Sequence, residues 1–195
     1  MSAHRPALII IDMQKCMATD KAGERNNPSA EHNMARLLDA WREGGHAIVH
    51  VRHISRSQAS LFSPGQPGAE FQPTFLPLPE EHVVEKNVPD AFVNTALERW
   101  LRVRDISSLV MVGVSTNISV ECSARTAGNL GFSTTVVSDA TFTFAKADYA
   151  GTWHRADEVH AMSLANLAGE YANVEDTDTV LDRITRRSRG GGNPS

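Results

Sequence analysis

Short apolar runs alternate along the chain with longer segments in which apolar residues recur at helical spacing. The run Ala7–Ile11 is apolar at every position, as a strand covered on both faces must be. A second run of this kind ends at Val112, and residues 28–43 show the helical period instead. This alternation is typical of βαβ units that build a parallel sheet with helices on both faces.

Six strands and five helices are predicted from the pattern. The strands are expected at 7–11, 47–51, 83–86, 108–112, 134–138 and 171–174. The helices are expected at 28–43, 93–101, 118–129, 156–169 and 177–184. The fold class is therefore α/β, a three-layer α-β-α sandwich with a mostly parallel, Rossmann-like sheet of about six strands.

Two segments depart from this pattern. Residues 56–79 are rich in Pro, Gly, Ser and Gln but contain Phe62, Phe71 and Phe75, so we expect an ordered excursion whose aromatic rings pack on the domain. Residues 185–195 are basic and then Gly-rich, which is typical of a flexible end. We expect one domain over residues 1–184 and a flexible C-terminal tail over 185–195.

Charge and cysteine content narrow the classes of partner. The formal net charge of −4 gives no general attraction for nucleic acid or an anionic membrane. The apolar run at the N-terminus is too short for a signal peptide or a membrane span. Cys16 and Cys122 are too few for a disulfide framework, which favours a reducing compartment. A cytoplasmic protein with a small-molecule substrate, and with neither nucleic acid nor membrane as partner, is expected.

Three polar features follow three different predicted strands. Asp12 follows the first strand, Lys86 ends the third, and the turn that runs from Gly113 to Ser119 follows the fourth. Ligands of an open parallel sheet bind beyond the carboxyl ends of its strands, so these features should meet at one rim.

The chemistry of this trio is coherent. A carboxylate and an ammonium favour each other's charged form, and the carboxylate can accept a proton and return it. Free N–H groups at a helix start can hold a developing oxyanion. Taken singly, each residue has an ordinary structural role: a turn carboxylate, a solvated lysine, a helix-capping serine. Only the combination predicts a reaction site.

Three ordered segments resemble blocks of the isochorismatase-like (cysteine hydrolase) superfamily. They are residues 7–14 (ALIIIDMQ), 84–92 (VEKNVPDAF) and 112–125 (VGVSTNISVECSAR). The resemblance implies a hydrolase in which Asp12 and Lys86 are catalytic and Phe92 lines the pocket. We expect Gln14, Asn117 and Trp153 to contact the substrate as well.

The main departure from the family pattern lies at position 119. The cysteine hydrolases have Gly-x-x-Thr-x-x-Cys, and this chain has Ser119 where the nucleophilic cysteine would fall. The resemblance implies an oxyanion hole made by the backbone N–H groups of Ser115 and Ser119, with a cis peptide between Val114 and Ser115. A hydroxyl is far less acidic than a thiol and needs a well-matched base. Ser119 could therefore be a slow nucleophile, a polar pocket residue, or an engineered replacement that traps a substrate; Cys122 is expected to be a buried thiol.

Three functions stay open at this point. The first is hydrolysis of a small amide or ureide C–N bond by Asp12, Lys86 and Ser119. The second is a non-covalent, isochorismatase-type vinyl-ether hydrolase with Asp12 as the acid. The third is a catalytically impaired variant or a non-enzymatic relative that binds a small molecule. His50 and His53 lack the matching Asp-x-His of nicotinamidase-type relatives, so no metal and no cofactor are expected. We also expect a homo-oligomer.

Overall fold

The computed structural model describes residues 6–19 and 22–190, and its centre is a six-stranded sheet. The strands in chain order are β1 (Ala7–Ile11), β2 (Ile48–His53), β3 (His82–Lys86), β4 (Ser108–Val114), β5 (Ser133–Phe142), β6 (Lys146–Ala147), β7 (Trp153–His154) and β8 (Asn173–Glu175). The sheet order is β3-β2-β1-β4-β5-β8, and every neighbouring pair is parallel. The predicted parallel sheet is confirmed.

Helices cover both faces of this sheet. They are α1 (Ala30–Glu43), α2 (Leu97–Val103), α3 (Glu121–Asn129), α4 (Ala156–Leu167) and α5 (Thr177–Gly190). Buried side chains of α1 and α5 share one hydrophobic cluster, and those of α2, α3 and α4 share the other. The three-layer sandwich is therefore confirmed. Within the described residues, no helix has both the length and the apolar character needed to cross a membrane.

The central strand β1 shows why the first apolar run is continuous. All five of its residues are buried. Leu8 and Ile10 belong to the cluster under α1 and α5, whereas Ile9 and Ile11 belong to the opposite cluster. Because successive side chains of a strand point to opposite faces, a strand between two helical layers must be apolar at both parities.

The predicted start of α2 is wrong by four residues. The helix was expected at 93–101 but begins only at Leu97. Asn94 has a φ of +59°, which a helix cannot contain, and the Leu97 N–H donates to the Thr95 hydroxyl at 3.3 Å. The short hairpin of β6 and β7 was not predicted, since two-residue strands leave no periodic pattern to detect.

The excursion over residues 56–79 is ordered by its aromatic side chains, as expected. Phe75 is fully buried, and Phe71 is buried with its ring edge-on to His50. The last helix continues to Gly190, six residues past the predicted end of the domain. Residues 191–195 lie outside the described part of the chain, so the tail stays a prediction.

Candidate active site

The rim at the carboxyl ends of the strands begins where β1 stops. Asp12 follows Ile11 directly and has a φ of +54°, so the chain leaves the strand at this residue. Its N–H still donates to Val51 O at 2.9 Å, which keeps Asp12 attached to β2. Gly113 of β4 lies opposite Ile11, and a Cβ there would come within 2.1 Å of Ile11 O. Only glycine therefore allows β4 to approach β1 at the point where the rim is built.

Asp12, Lys86 and Ser119 meet at this rim. Lys86 Nζ donates to Asp12 Oδ2 at 2.7 Å and lies 3.4 Å from Ser119 Oγ. All three residues are buried, with the Lys86 side chain fully enclosed. The parallel sheet thus brings together groups that are 33 and 74 residues apart in the sequence, as the rule for strand ends predicts.

The buried carboxyl of Asp12 has unusual electrostatics. Complete burial raises its pKa above the ordinary value, and the Lys86 ammonium opposes this effect without cancelling it. Its Oδ1 has no hydrogen-bond partner among the described residues. A buried acceptor without a partner is costly to maintain, so this oxygen is available to a proton or to an N–H or O–H of a bound molecule.

The turn after β4 carries Ser119. It is one π-helical turn, Thr116–Val120, that runs directly into α3. The peptide between Val114 and Ser115 is cis. The Ser115 N–H is buried and donates to no acceptor among residues 6–19 and 22–190. A free, buried N–H at this place is the kind of group that an oxyanion hole requires.

Polar side chains hold this turn from two sides. Ser123, on α3, donates to Ser119 O at 2.7 Å and accepts from the Ala91 N–H at 2.9 Å. From α4, His160 Nδ1 lies 2.8 Å from Thr116 Oγ1, and Ser163 Oγ lies 3.1 Å from Thr116 O. The turn is therefore tied both to the segment after β3 and to a separate helix.

Gln14 lies near the site but its amide is occupied. Its Nε2 donates to His53 O at 2.9 Å and to Ala69 O at 2.8 Å, and its Oε1 accepts from the His53 N–H at 2.8 Å. These bonds brace β2 against the excursion, so the amide has a structural role in this conformation. Contact between Gln14 and a substrate stays a prediction.

Three other predicted substrate contacts differ in solvent exposure: Phe92, Asn117 and Trp153. Phe92 is buried against Phe132, with ring centroids 6.0 Å apart. Asn117 accepts from the Thr143 hydroxyl at 2.5 Å and lines a surface cavity of about 530 Å³ between the turn and α4. Trp153, on β7, is 66% exposed. The structure therefore places Asn117 in the turn itself, buries Phe92 against Phe132 and leaves Trp153 on the outer hairpin.

A larger cavity of about 850 Å³ lies beside the rim, between the excursion and the end of β3. Lys86 forms part of its wall, together with polar residues that include Ser55, Gln66 and Asn87. A cavity of this size at the carboxyl end of a parallel sheet can hold a small polar molecule.

Neither Cys16 nor Cys122 supplies a reactive thiolate in place of the family's cysteine. Burial raises the pKa of Cys16 to about 11. Burial and the carboxylates of Asp90 and Glu121 also raise the pKa of Cys122. Neither thiol is therefore activated as a thiolate. Among the described residues, no group of three or more His, Cys, Asp or Glu side chains is arranged to hold a metal ion.

No role for Ser123 or His160 was predicted from the sequence. A signal for Ser123 was present, since it follows Ser119 by four residues and must share its helix face. His160 lies 44 residues from Thr116 in the sequence, and no local pattern could have paired them.

Comparisons with known proteins identify the family of this chain. The model of the Isochorismatase domain matches residues 6–179. The isochorismatase family protein YrdC of Bacillus subtilis is 38% identical over 178 residues, 91% of this chain and 95% of that protein. The ureidoacrylate amidohydrolase RutB of Acinetobacter baylyi is 28% identical over 136 residues, 70% of this chain and 51% of that protein.

A solved structure shows the same similarity. A hydrolase of the isochorismatase family from Chromobacterium violaceum superimposes with a TM-score of 0.92 at 45% identity, covering 95% of this chain and 96% of that one. The family match, these relatives and the parallel sheet all lead to one conclusion: the chain belongs to the isochorismatase family of hydrolases.

Proposed function

We propose that this hydrolase cleaves the C–N bond of a small amide or ureide, with Asp12, Lys86 and Ser119 as its catalytic residues. The observation that carries the proposal is the contact of Lys86 Nζ with both Asp12 Oδ2 and Ser119 Oγ, at 2.7 Å and 3.4 Å. A base, a cation and a nucleophile are thereby held in one buried cluster beside a polar cavity.

The first half of the proposed reaction forms an ester on Ser119. Its Oγ attacks the carbonyl carbon, and its proton passes to the carboxylate of Asp12. The oxyanion of the tetrahedral intermediate is held by the Ser115 N–H and by the Ser119 N–H. Asp12 then gives the proton to the departing nitrogen, and the C–N bond breaks.

The second half releases the acid. Asp12 takes a proton from a water molecule that attacks the ester, and it returns that proton to Ser119 Oγ as the ester bond breaks. Lys86 stabilises the negative charge that moves among the oxygens. The raised pKa of Asp12 supports this role, because a carboxylate with a higher pKa is a better base towards a weakly acidic hydroxyl.

The substrate class is supported by one relative. RutB of Acinetobacter baylyi is described as a ureidoacrylate amidohydrolase, and it aligns with 70% of this chain. The polar wall of the 850 Å³ cavity suits a small molecule that carries amide or ureide groups.

A second function is favoured by one observation. The raised pKa of Asp12 and its unpartnered Oδ1 also suit a general acid that protonates a vinyl ether, without a covalent intermediate. In that case Ser119 would only shape the pocket.

We also propose a cytoplasmic homo-oligomer. The two free thiols favour a reducing compartment. The exposed Tyr149, Trp153 and Met162 provide apolar surface that a neighbouring copy could cover.

Substitution of Ser119 separates the two functions. Ser119→Cys supplies the better nucleophile, and we expect ammonia release from a panel of small amides and ureides to rise at least tenfold. Ser119→Ala should abolish that release. Ammonia is measured by a coupled assay at constant enzyme concentration.

Ser133→Cys is the matched control, because it places a new thiol on an exposed strand end away from the rim. It should leave the rates unchanged. Full activity of Ser119→Ala on a vinyl ether, with no gain on amides for Ser119→Cys, would reject the covalent mechanism and support the second function.

A further inference from the structure

Two side chains of α4 contact Thr116, and the hydroxyl hydrogen of one of them, Ser163, is shared with Glu121 Oε2 at 2.7 Å. His160 Nδ1 lies 2.8 Å from its hydroxyl, and Ser163 Oγ lies 3.1 Å from its carbonyl oxygen. His160 and Ser163 are one helical turn apart, so both face the same side of α4. Thr116, His160 and Ser163 are all buried, and Thr116 is fully enclosed.

The surroundings of the other imidazole nitrogen decide which atom of His160 carries the proton. Nε2 lies 3.5 Å from the amide nitrogen of Asn27, and the backbone carbonyl of Ser138 is a hydrogen-bond partner of the imidazole, whose Nδ1 already contacts Thr116. The two hydrogens of that amide already point to Ser138 O at 2.8 Å and Thr141 O at 2.7 Å. A carbonyl oxygen can only accept, so Nε2 is the protonated nitrogen and Nδ1 is the acceptor.

The charge state agrees with this assignment. Burial lowers the pKa of His160 below its ordinary value, and the Ser138 carbonyl opposes this effect only in part. The imidazole is therefore neutral near pH 7, with Nδ1 free to accept from the Thr116 hydroxyl.

We propose that His160 is a positioning residue for the reaction site. Its Nδ1 accepts a hydrogen bond from the Thr116 hydroxyl, and this bond fixes the turn that carries Ser119. This inference rests on the proposed role of position 119 and adds to it the group that sets the geometry there.

The geometry explains why the effect should reach Ser119. Thr116 opens the five-residue turn Thr116–Val120, and Ser119 lies three residues later in the same turn. The 3.4 Å contact between Lys86 Nζ and Ser119 Oγ is at the long end of a hydrogen bond. A small rotation of the turn would break that contact without disturbing the buried core.

Two substitutions of His160 form a matched pair. Asn places an acceptor oxygen where Nδ1 lies, whereas Gln reaches the position of Nε2 and offers Thr116 nothing. Each is made in the Ser119→Cys background, and alkylation of residue 119 by iodoacetamide is followed against pH by mass spectrometry. We expect His160→Asn to keep the parent's pH profile, and His160→Gln to shift its midpoint by at least half a pH unit.

Cys16 and Cys122 are internal references in the same spectra, because their raised pKa values keep their alkylation slow and separate. Thr116→Val tests the contact from its other partner and should shift the profile as His160→Gln does. Thermal midpoints are compared so that general destabilisation is recognised.

The inference is overturned if the Asn and Gln variants give the same profile, or if the references shift together with residue 119. Iodoacetamide reports the surroundings of residue 119 whether or not a substrate is turned over. Absence of amide turnover in Ser119→Cys would therefore count against the proposed function alone, and an unchanged profile in His160→Gln would count against the positioning role alone.

Discussion

Two buried carboxylates of this molecule, Asp12 and Glu81, have opposite surroundings. Glu81 accepts from Arg42 at 2.7 Å and 3.0 Å, and from His50 Nε2 and the Leu78 N–H at 2.8 Å each. Asp12 accepts from Lys86 on one oxygen at 2.7 Å, with a further side-chain hydrogen bond from Ser119, and its Oδ1 has no partner among the described residues. Little of either side chain is exposed, 4% for Glu81 and 6% for Asp12, but Glu81 lies nearer the surface and loses less of its hydration.

The difference in donors reverses the effect of burial. Burial alone disfavours the charged form of both groups, but the bonds to Arg42, Leu78 and His50 lower the pKa of Glu81 to about 2. At Asp12 the single cation is not enough, and burial raises the pKa. A fully satisfied carboxylate holds the fold together, whereas a partly satisfied one can exchange a proton.

The largest expected effect is on catalysis, through Asp12→Asn. The substitution keeps the shape of the side chain but removes the group that accepts and returns the proton. We expect kcat/KM on the best amide of the panel to fall by about 10³, within the range of general acid–base catalysis. The rate is measured per folded molecule, with circular dichroism to count the folded fraction.

Asp182→Asn on α5 is the control, since that carboxylate is 73% exposed and its ion pair with Arg186 is long, at 3.5 Å. Its rate should equal that of the parent. Unchanged turnover in Asp12→Asn would remove Asp12 as acid or base in either proposed reaction.

Glu81→Gln should show the opposite behaviour, a loss of stability without loss of rate. A pKa lowered from 4.5 to about 2 corresponds to about 3 kcal/mol of stabilisation at neutral pH. We expect urea unfolding at pH 7 to report a loss of about that size, with kcat per folded molecule unchanged.

The sign of the pH dependence sharpens the contrast. A depressed folded-state pKa stabilises above the unfolded value, so the contribution of Glu81 is complete above pH 4.5 and is lost as pH falls towards 2. The stability of Glu81→Gln should therefore vary less in that window. The contribution of Asp12 to stability depends on pH with the opposite sign. It is greatest below pH 3.8 and declines as pH rises through the raised folded-state pKa of Asp12. An identical acid limb in the parent and in Glu81→Gln would refute the assignment.

The position of the rim could be predicted because each strand that builds it is marked by a local apolar run in the sequence. The apolar run before Asp12, the run before Gly113 and the strand that ends at Lys86 each predict a buried parallel strand. Once the strands are parallel, their carboxyl ends lie at one edge, and the residues that follow them must be neighbours. No side-chain contact had to be known in advance.

The remaining contacts depend on partners that no local pattern links. The Gln14 amide is bound by carbonyls 39 and 55 residues away, so its structural role was invisible in the sequence. The cluster around Glu81 joins α1, β2 and the segment before β3 in the same way. The exposure of Trp153 follows from a two-residue strand that periodicity cannot predict.

The smallest expected effect concerns Trp153, which contrasts with both carboxylates because most of its surface faces solvent. Trp153→Ala removes little buried area, so the free energy of unfolding should change by less than about 0.5 kcal/mol.

If Trp153 contacts substrate from its own chain, KM should rise, and the rise should not depend on enzyme concentration. If it reaches the pocket of a neighbouring copy, the effect should appear only at concentrations where the chains associate. Val103→Ala, at an exposed apolar position on α2, is the control. A KM equal to the parent's at every concentration would show that Trp153 has no part in substrate binding, and would leave the enclosed rim as the whole of the site.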